Sequence, residues 1–164
     1  MERLVWVSLG ANLGSPTATL AAARAALAER FGPLLSSPVV GSSPWGGVAQ
    51  PDFANQVLGF SPPGAPDPTL RELLRLEAAL GRRRDQERRW GPRTIDIDIL
   101  CWPGVSCAST DLTLPHPRLA ERRFVLAPWA EVAPHLVPFG LHRSVAELLV
   151  ACPDSGAVWP WPAS

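Results

Sequence analysis

Short apolar runs alternate with turn-forming clusters along the chain, and their spacing sets out the elements in turn. Leu4–Leu9 is apolar but for Ser8 and predicts a buried first strand. Gly10–Gly14 turns the chain, Ser15 caps a helix with Pro16 at its first position, and Gly32-Pro33 stops that Ala-rich helix after Phe31. A second strand is predicted over Leu35–Ser43, a loop from Pro44 to about Pro51, and a third strand over Phe53–Phe60. Ser61–Pro68 is a Pro-rich, stiff linker. Asp67-Pro68 opens a second helix whose apolar stripe is Leu70, Leu73, Leu74, Leu76 and Leu80, ended by Gly81. A strand containing two aspartates then runs to Trp102, and Leu112–Leu114 is a short further strand. Arg118–Glu131 and Ser144–Ala151 are predicted helical, and Val158–Pro162 is a small strand or a Trp-anchored tail.

The order β-α-β-β-α-β followed by helices predicts an α+β fold. It fits a ferredoxin-like split βαβ sandwich, with helices on one face of an antiparallel sheet and the other face free to carry a site. The 164 residues suit one domain over 1–164, with about 153–164 only loosely assigned to it.

Within Ile95-Asp96-Ile97-Asp98-Ile99, strand alternation sends the isoleucines to a core and both aspartates to the opposite face, ~6.6 Å apart along the chain. Two like charges on one face repel, and a divalent cation between them would relieve that. An isolated Asp-x-Asp would read as a solvated outer face. The segment Gly81–Trp90 changes the weighting, because five arginines (82, 83, 84, 88 and 89) crowd it and Arg93 follows. Guanidinium forks bind phosphate oxygens bidentately at any working pH, so cations beside paired carboxylates suit a polyphosphate with magnesium. Such a loop can close over a substrate, with Trp90 as its apolar cover.

Composition narrows the field. All fifteen basic residues are Arg, which excludes a strict Walker P-loop and lysine Schiff-base chemistry. Zero net charge gives no global field toward nucleic acid or a membrane surface, and no apolar run approaches the ~20 residues of a span. Cys101, Cys107 and Cys152 form no Cys-x-x-Cys pair, so a reduced, cytoplasmic chain is expected. Gly-x-Ser-x-Gly, His-Glu-x-x-His and Gly-x-Gly-x-x-Gly are all absent.

Phe53 and Asn55 share one strand face, an aromatic ring beside an amide, as a flat heterocycle requires. Phe124 is placed to close a sandwich with Phe53. His116 stands between Pro115 and Pro117, a stiff setting, while His135 and His142 have no evident partners.

The chain resembles the 6-hydroxymethyl-7,8-dihydropterin pyrophosphokinase family. The resemblance rests on Ser8-Leu9-Gly10-Ala11-Asn12-Leu13-Gly14, Gln50-Pro51-Asp52-Phe53-Ala54-Asn55, Arg89-Trp90-Gly91-Pro92-Arg93-Thr94-Ile95-Asp96-Ile97-Asp98-Ile99, and Leu114-Pro115-His116-Pro117-Arg118 through Arg122–Leu126. It implies transfer of pyrophosphate from ATP to the pterin hydroxymethyl group, with release of AMP, in folate biosynthesis. It further implies two magnesium ions on Asp96 and Asp98, and a pterin between Phe53 and Phe124, read by Asn55 and the Ser43-Pro44-Trp45 segment. Trp90 would belong to both substrate sites. The ATP site would draw on Glu77, Arg82, Arg93, Ile99, Thr113, His116 and Arg122, with Arg82 and Arg93 stabilising charge during transfer. A monomer is expected. The chain departs from the family at Phe53, where Tyr is frequent, at Asp111, where some members carry Arg, and in an arginine loop one residue longer than in some bacterial members. A non-catalytic pterin- or nucleotide-binding module and a magnesium-dependent nucleotide pyrophosphatase are the alternatives.

Overall fold

The computed structural model describes residues 1–83, 85 and 91–162. Its strands are β1 (Val5–Ala11), β2 (Leu35–Ser36), β3 (Val40–Ser42), β4 (Phe53–Phe60), β5 (Asp96–Cys101), β6 (Cys107–Ala108), β7 (Thr113–Leu114) and β8 (Val158–Pro160). The α-helices are α1 (Pro16–Phe31), α2 (Pro66–Ala79), α3 (Arg123–Val132) and α4 (Val145–Val150). The main sheet is antiparallel in the order β5-β1-β4-β3-β8, with β2 also on β4. β1-α1-β2/β3-β4-α2-β5 is the split βαβ of the ferredoxin-like fold.

Alternation along the strands builds two cores. Val5, Val7, Leu9 and Ala11 of β1, Ile97 and Ile99 of β5, and Leu58 and Phe60 of β4 face Leu20, Ala23 and Leu27 of α1 and Leu73 of α2. Phe31 stacks on Phe60, ring centroids 4.8 Å apart. On the opposite face Trp6, Val57, Leu100 and Cys101 pack under Val125, Leu126 and Trp129 of α3 and Val145 and Leu148 of α4. A register shift between Trp6 and Val7 turns neighbouring Leu100 and Cys101 into this same core, as a β-bulge does. The second face is therefore not wholly free: α3 and α4 cover the half around Trp6 and leave the half around Gly10 open.

Four local expectations need correction. The predicted strand Leu35–Ser43 is split into β2 and β3. Pro38 lacks an N–H for the ladder, and the Ser37 Oγ instead accepts the Val57 N–H at 2.9 Å, so an extra residue is accommodated before β3. Ser15 occupies the cap position of α1 without a side-chain bond; its carbonyl accepts from the Thr19 N–H and hydroxyl. α2 starts at Pro66, because prolines 66 and 68 both fit a first turn that needs no N–H partners, and Leu74 is 40 % exposed on its outer side. The predicted helix Arg118–Glu131 is a short 3-10 helix, Leu119–Glu121, and then α3, with Arg122 extended between them. Among the described residues no helix is long and apolar enough to cross a membrane.

Candidate active site

The open half of the second face is the floor of a cleft. Continuing the alternation from Trp6, Val57 and Leu100 away from α3 and α4 gives Ser8 and Gly10 on β1, Asn55 and Phe53 on β4, and Asp98 and Asp96 on β5. Ser8 pairs with Asp98, and Gly10 lies between Asp96 on one side and Asn55 on the other. A Cβ at Gly10 would meet Asn55 Oδ1 at 3.6 Å and Phe53 at 4.0 Å, so glycine leaves room on the floor.

At the β4 end the cleft is aromatic. Phe53 forms one wall, Phe124 and Val125 of α3 another, and Trp45 of the loop after β3 meets the Phe124 ring edge-on at 5.7 Å. Asn55 is buried, and its Nδ2 donates to Ser42 Oγ at 2.8 Å. That bond orients the amide and leaves Oδ1 toward Gly10, an acceptor facing the cleft. A planar ring with a donor edge fits this end.

At the β5 end the cleft is charged. Burial first, then the neighbouring Asp96 and Glu77 charges, raise the Asp98 carboxyl from 3.8 to about 7, against the pull of Arg122 and Arg82. The side chain is still 32 % exposed to the cleft, so solvent tempers the burial effect, and the upward direction rests also on Asp96. Arg122 Nη1 stands 3.5 Å and His116 Nε2 3.9 Å from Asp98 Oδ2. The His116 Nδ1 accepts the Arg118 N–H at 3.1 Å, which places the ring proton on Nε2, toward Asp98. Burial, and then Arg122, lower His116 to about 4, so the ring is a neutral donor. Arg82 donates through Nη1 to Asp96 Oδ1 and to Glu77 Oε2, both at 2.9 Å.

Two carboxylates are thus aimed into a cleft that ends in an aromatic slot. Residues 6–134 match the family model described as 7,8-dihydro-6-hydroxymethylpterin-pyrophosphokinase (HPPK). Curated relatives named 2-amino-4-hydroxy-6-hydroxymethyldihydropteridine pyrophosphokinase are 41% identical over 92% of this chain and 94% of the relative from Methylorubrum extorquens. Those from Pseudomonas aeruginosa are 40% identical over 95% and 96%, and those from Mycobacterium tuberculosis 38% over 91% and 83%. The chain belongs to the HPPK family. A wild-type Plasmodium falciparum HPPK-DHPS structure shares the fold at TM-score 0.69 and 12% identity, over 90% of this chain and 44% of that one. The chain thus spans less than half of those longer Plasmodium proteins.

The cleft of this HPPK family member gathers Asp96, Asp98, Arg93, Arg122, Phe53, Asn55, Ser43, Trp45 and Phe124, all expected from sequence. His116 joins them through Asp98, and Arg82 through Asp96. Others fall elsewhere. Pro44 shares the loop without lining the cleft. Ile99 has its side chain in the α1/α2 core, leaving only its backbone available, and Thr113 lies in β7 outside the cleft wall. Glu77 is 1 % exposed and accepts the Ile97 N–H at 2.7 Å as well as Arg82, so it anchors β5 and Arg82 from within the fold and does not line the cleft. Trp90 lies outside the described residues.

Sequence reasoning assigned no role to Asn12, which is 1 % exposed. Its Nδ2 donates to Gln50 Oε1 and the Pro51 carbonyl at 2.9 and 2.8 Å, and its Oδ1 accepts the Arg93 N–H at 2.8 Å. One side chain thus joins the turn after β1, the loop before β4 and the end of the arginine segment. An Asn in a post-strand turn ordinarily bonds its own turn, so nothing local marked it. Ser8 and Gly10 were likewise visible only as parts of a motif.

Proposed function

We propose that the cleft holds a 6-hydroxymethyl-7,8-dihydropterin at its aromatic end and the ATP phosphates at its acidic end. The family's activity, which this chain carries, is pyrophosphoryl transfer from ATP to that hydroxymethyl group, with AMP released, in folate biosynthesis. The observation that carries the placement is that Asp96 and Asp98 share a continuous floor with Phe53 and Asn55, so the two substrate ends meet over Ser8 and Gly10.

The ring would stack between Phe53 and Phe124, with its donor edge on Asn55 Oδ1. Its hydroxymethyl oxygen then attacks the β-phosphorus and gives up its proton to solvent, the bond from that phosphorus to the oxygen bridging the α-phosphate breaks, and AMP leaves. Such transfers need positioning and charge neutralisation more than covalent help. Arg93, on the cleft wall, would meet phosphate oxygens, as would Arg122, whose buried Nε has no hydrogen-bond partner among the described residues. The His116 Nε2–H adds a neutral donor beside them. Arg82 acts here on Asp96, so its part in phosphate contact is indirect.

Asp96 and Asp98 fit magnesium: hard carboxylate oxygens on one face, one of them pushed up to about 7 by burial and then by its neighbour's charge, with substrate phosphates to complete the shell. The ions, two being expected, would neutralise phosphate charge when bound. Free Cys101, Cys107 and Cys152 support a reducing, cytoplasmic setting, and a monomer is our reading of the assembly.

Incubation with ATP and magnesium, with and without the dihydropterin, tests this. AMP that forms only with the pterin is expected. AMP without it supports hydrolysis, and none in either mixture supports a binding module.

A further inference from the structure

α3 carries the Phe124 wall and follows directly on Arg122, yet it has no side-chain cap of its own. An exposed first turn leaves N–H groups without partners. The missing acceptor comes from 31 residues away: Asp154 Oδ2 accepts the Arg123 N–H at 3.2 Å. The Arg123 Nε returns a bond to the Asp154 carbonyl at 2.8 Å, and Asp154 Oδ1 accepts the Gly156 N–H at 2.8 Å, fixing the carboxylate within its own turn. The negative charge also meets the positive end of the helix.

The same segment then reaches the opposite wall. β8 adds to β3, with Val158 opposite Ser42 and Trp159 opposite Gly41, where the indole occupies the space a Cβ would take. The Trp161 N–H donates to the Val39 carbonyl at 3.1 Å. Ser42 is the residue that orients Asn55, and Ser43 and Trp45 follow it into the cleft wall.

We infer that residues 153–161 form a strap setting the width of the ring slot, and that Asp154 is a positioning residue for Phe124. The strap ties the start of α3 to β3, the two elements between which the slot opens. This rests on the reading of the cleft as the pterin site. Asp154 touches no substrate; it fixes where the stacking wall stands.

The test is pterin binding, followed by ligand fluorescence well below the thermal transition, for the wild type, Asp154→Ala and Asp154→Asn. A misplaced stacking wall is expected to raise the Kd of Asp154→Ala about five- to tenfold. Turnover at saturation should stay within about threefold, since Asp96, Asp98 and Arg93 are untouched. Asp154→Asn keeps one accepting oxygen and should recover part of the affinity. A cap that only stabilises the fold would lower the melting temperature and leave this Kd unchanged, which would overturn the proposal. If Asp154→Ala does not fold, Arg123→Met cuts the return bond alone and should weaken pterin binding about two- to threefold; an unchanged Kd there overturns it equally. A wild-type chain that binds no pterin removes the reading of the cleft and the strap's role with it. A wild type that binds beside an unchanged variant removes the strap alone.

Discussion

Arg82 and Glu77 form a buried ion pair at 2.9 Å, and both side chains are almost wholly enclosed. Glu77 Oε2 also takes the Ile97 N–H, the amide between the two site aspartates, and Arg82 reaches on to Asp96. A buried pair contributes little relative to apolar residues, but one partner left alone is costly. Glu77→Ala is therefore expected to destabilise the fold by about 3 kcal/mol, because Arg82 and the Ile97 amide both lose an acceptor. Denaturant unfolding of the two proteins measures this; a loss below about 1 kcal/mol would show that the pair is not load-sharing with β5.

Asp96 and Asp98 have opposite effects on folding and on function. Burial, and then the Asp96 charge, push Asp98 up to about 7, so ionising both is unfavourable without a cation. At pH 8 and without divalent ions, Asp98→Asn should melt no lower than the wild type. Asp96→Ala and Asp98→Ala should each lose AMP formation by at least about a thousandfold, the scale of charge stabilisation that metal binding supplies. Near-normal turnover in either variant would reject the metal role.

The same shift fixes a pH dependence. Without cation the folded chain keeps a proton on Asp98 that the unfolded chain releases above 3.8. Its contribution to stability is therefore complete below 3.8 and is lost as pH rises through about 7. His116 runs the other way: its contribution is present above 6.5 and is lost as pH falls through about 4. Magnesium must displace the Asp98 proton below about 7, so the magnesium concentration for half-maximal activity should rise on going from pH 7 to pH 6, by up to about tenfold for one proton. A requirement that is flat across this range would contradict the raised carboxyl.

Much of this site could be read from alternation alone. Phe53–Phe60 has the bounds predicted for it, and Asp96 and Asp98 face away from Ile95, Ile97 and Ile99 as a strand demands. What alternation could not tell was which half of that face α3 and α4 would cover. Trp6 and Ser8 lie on the same face of β1, one under Trp129 and the other in the cleft, and only tertiary packing separates them. The bulge that turns both Leu100 and Cys101 inward breaks the period-two rule itself. Arg82 read as a phosphate clamp because its neighbours are arginines, but its partners, buried Glu77 and half-exposed Asp96, come from different elements.

Gly10 limits what the floor can accept. A side chain there would project between Phe53 and Asn55 Oδ1. Gly10→Val should therefore raise the pterin KM, by about tenfold or more, while ATP binding in the absence of pterin changes little. Initial rates across both substrate ranges distinguish this from a general loss. An equal rise in both constants would show that the ring does not rest on this floor.

Asn12 reaches Gln50 and Pro51 with its two N–H donors and the Arg93 amide with its carbonyl oxygen, at 2.8 to 2.9 Å. Asn12→Ala would take this partner from the part-buried Arg93 amide and Pro51 carbonyl, at a cost of up to about 1–3 kcal/mol each if the loops cannot shift to water. The loops can shift, since both leave the sheet here, and the consequence is loss of their mutual register. Arg93 would then be held less well over the phosphates and the Gln50-Pro51 turn less well at the entrance to β4. The expected outcome is a fall in turnover together with weaker pterin binding, in a protein whose circular dichroism is unchanged. Asn12→Asp is the sharper probe. It keeps the acceptor for Arg93 and loses both donors, so turnover should hold better than pterin affinity. If both variants impair the two properties in the same ratio, Asn12 supports the fold generally and does not join these two segments in particular.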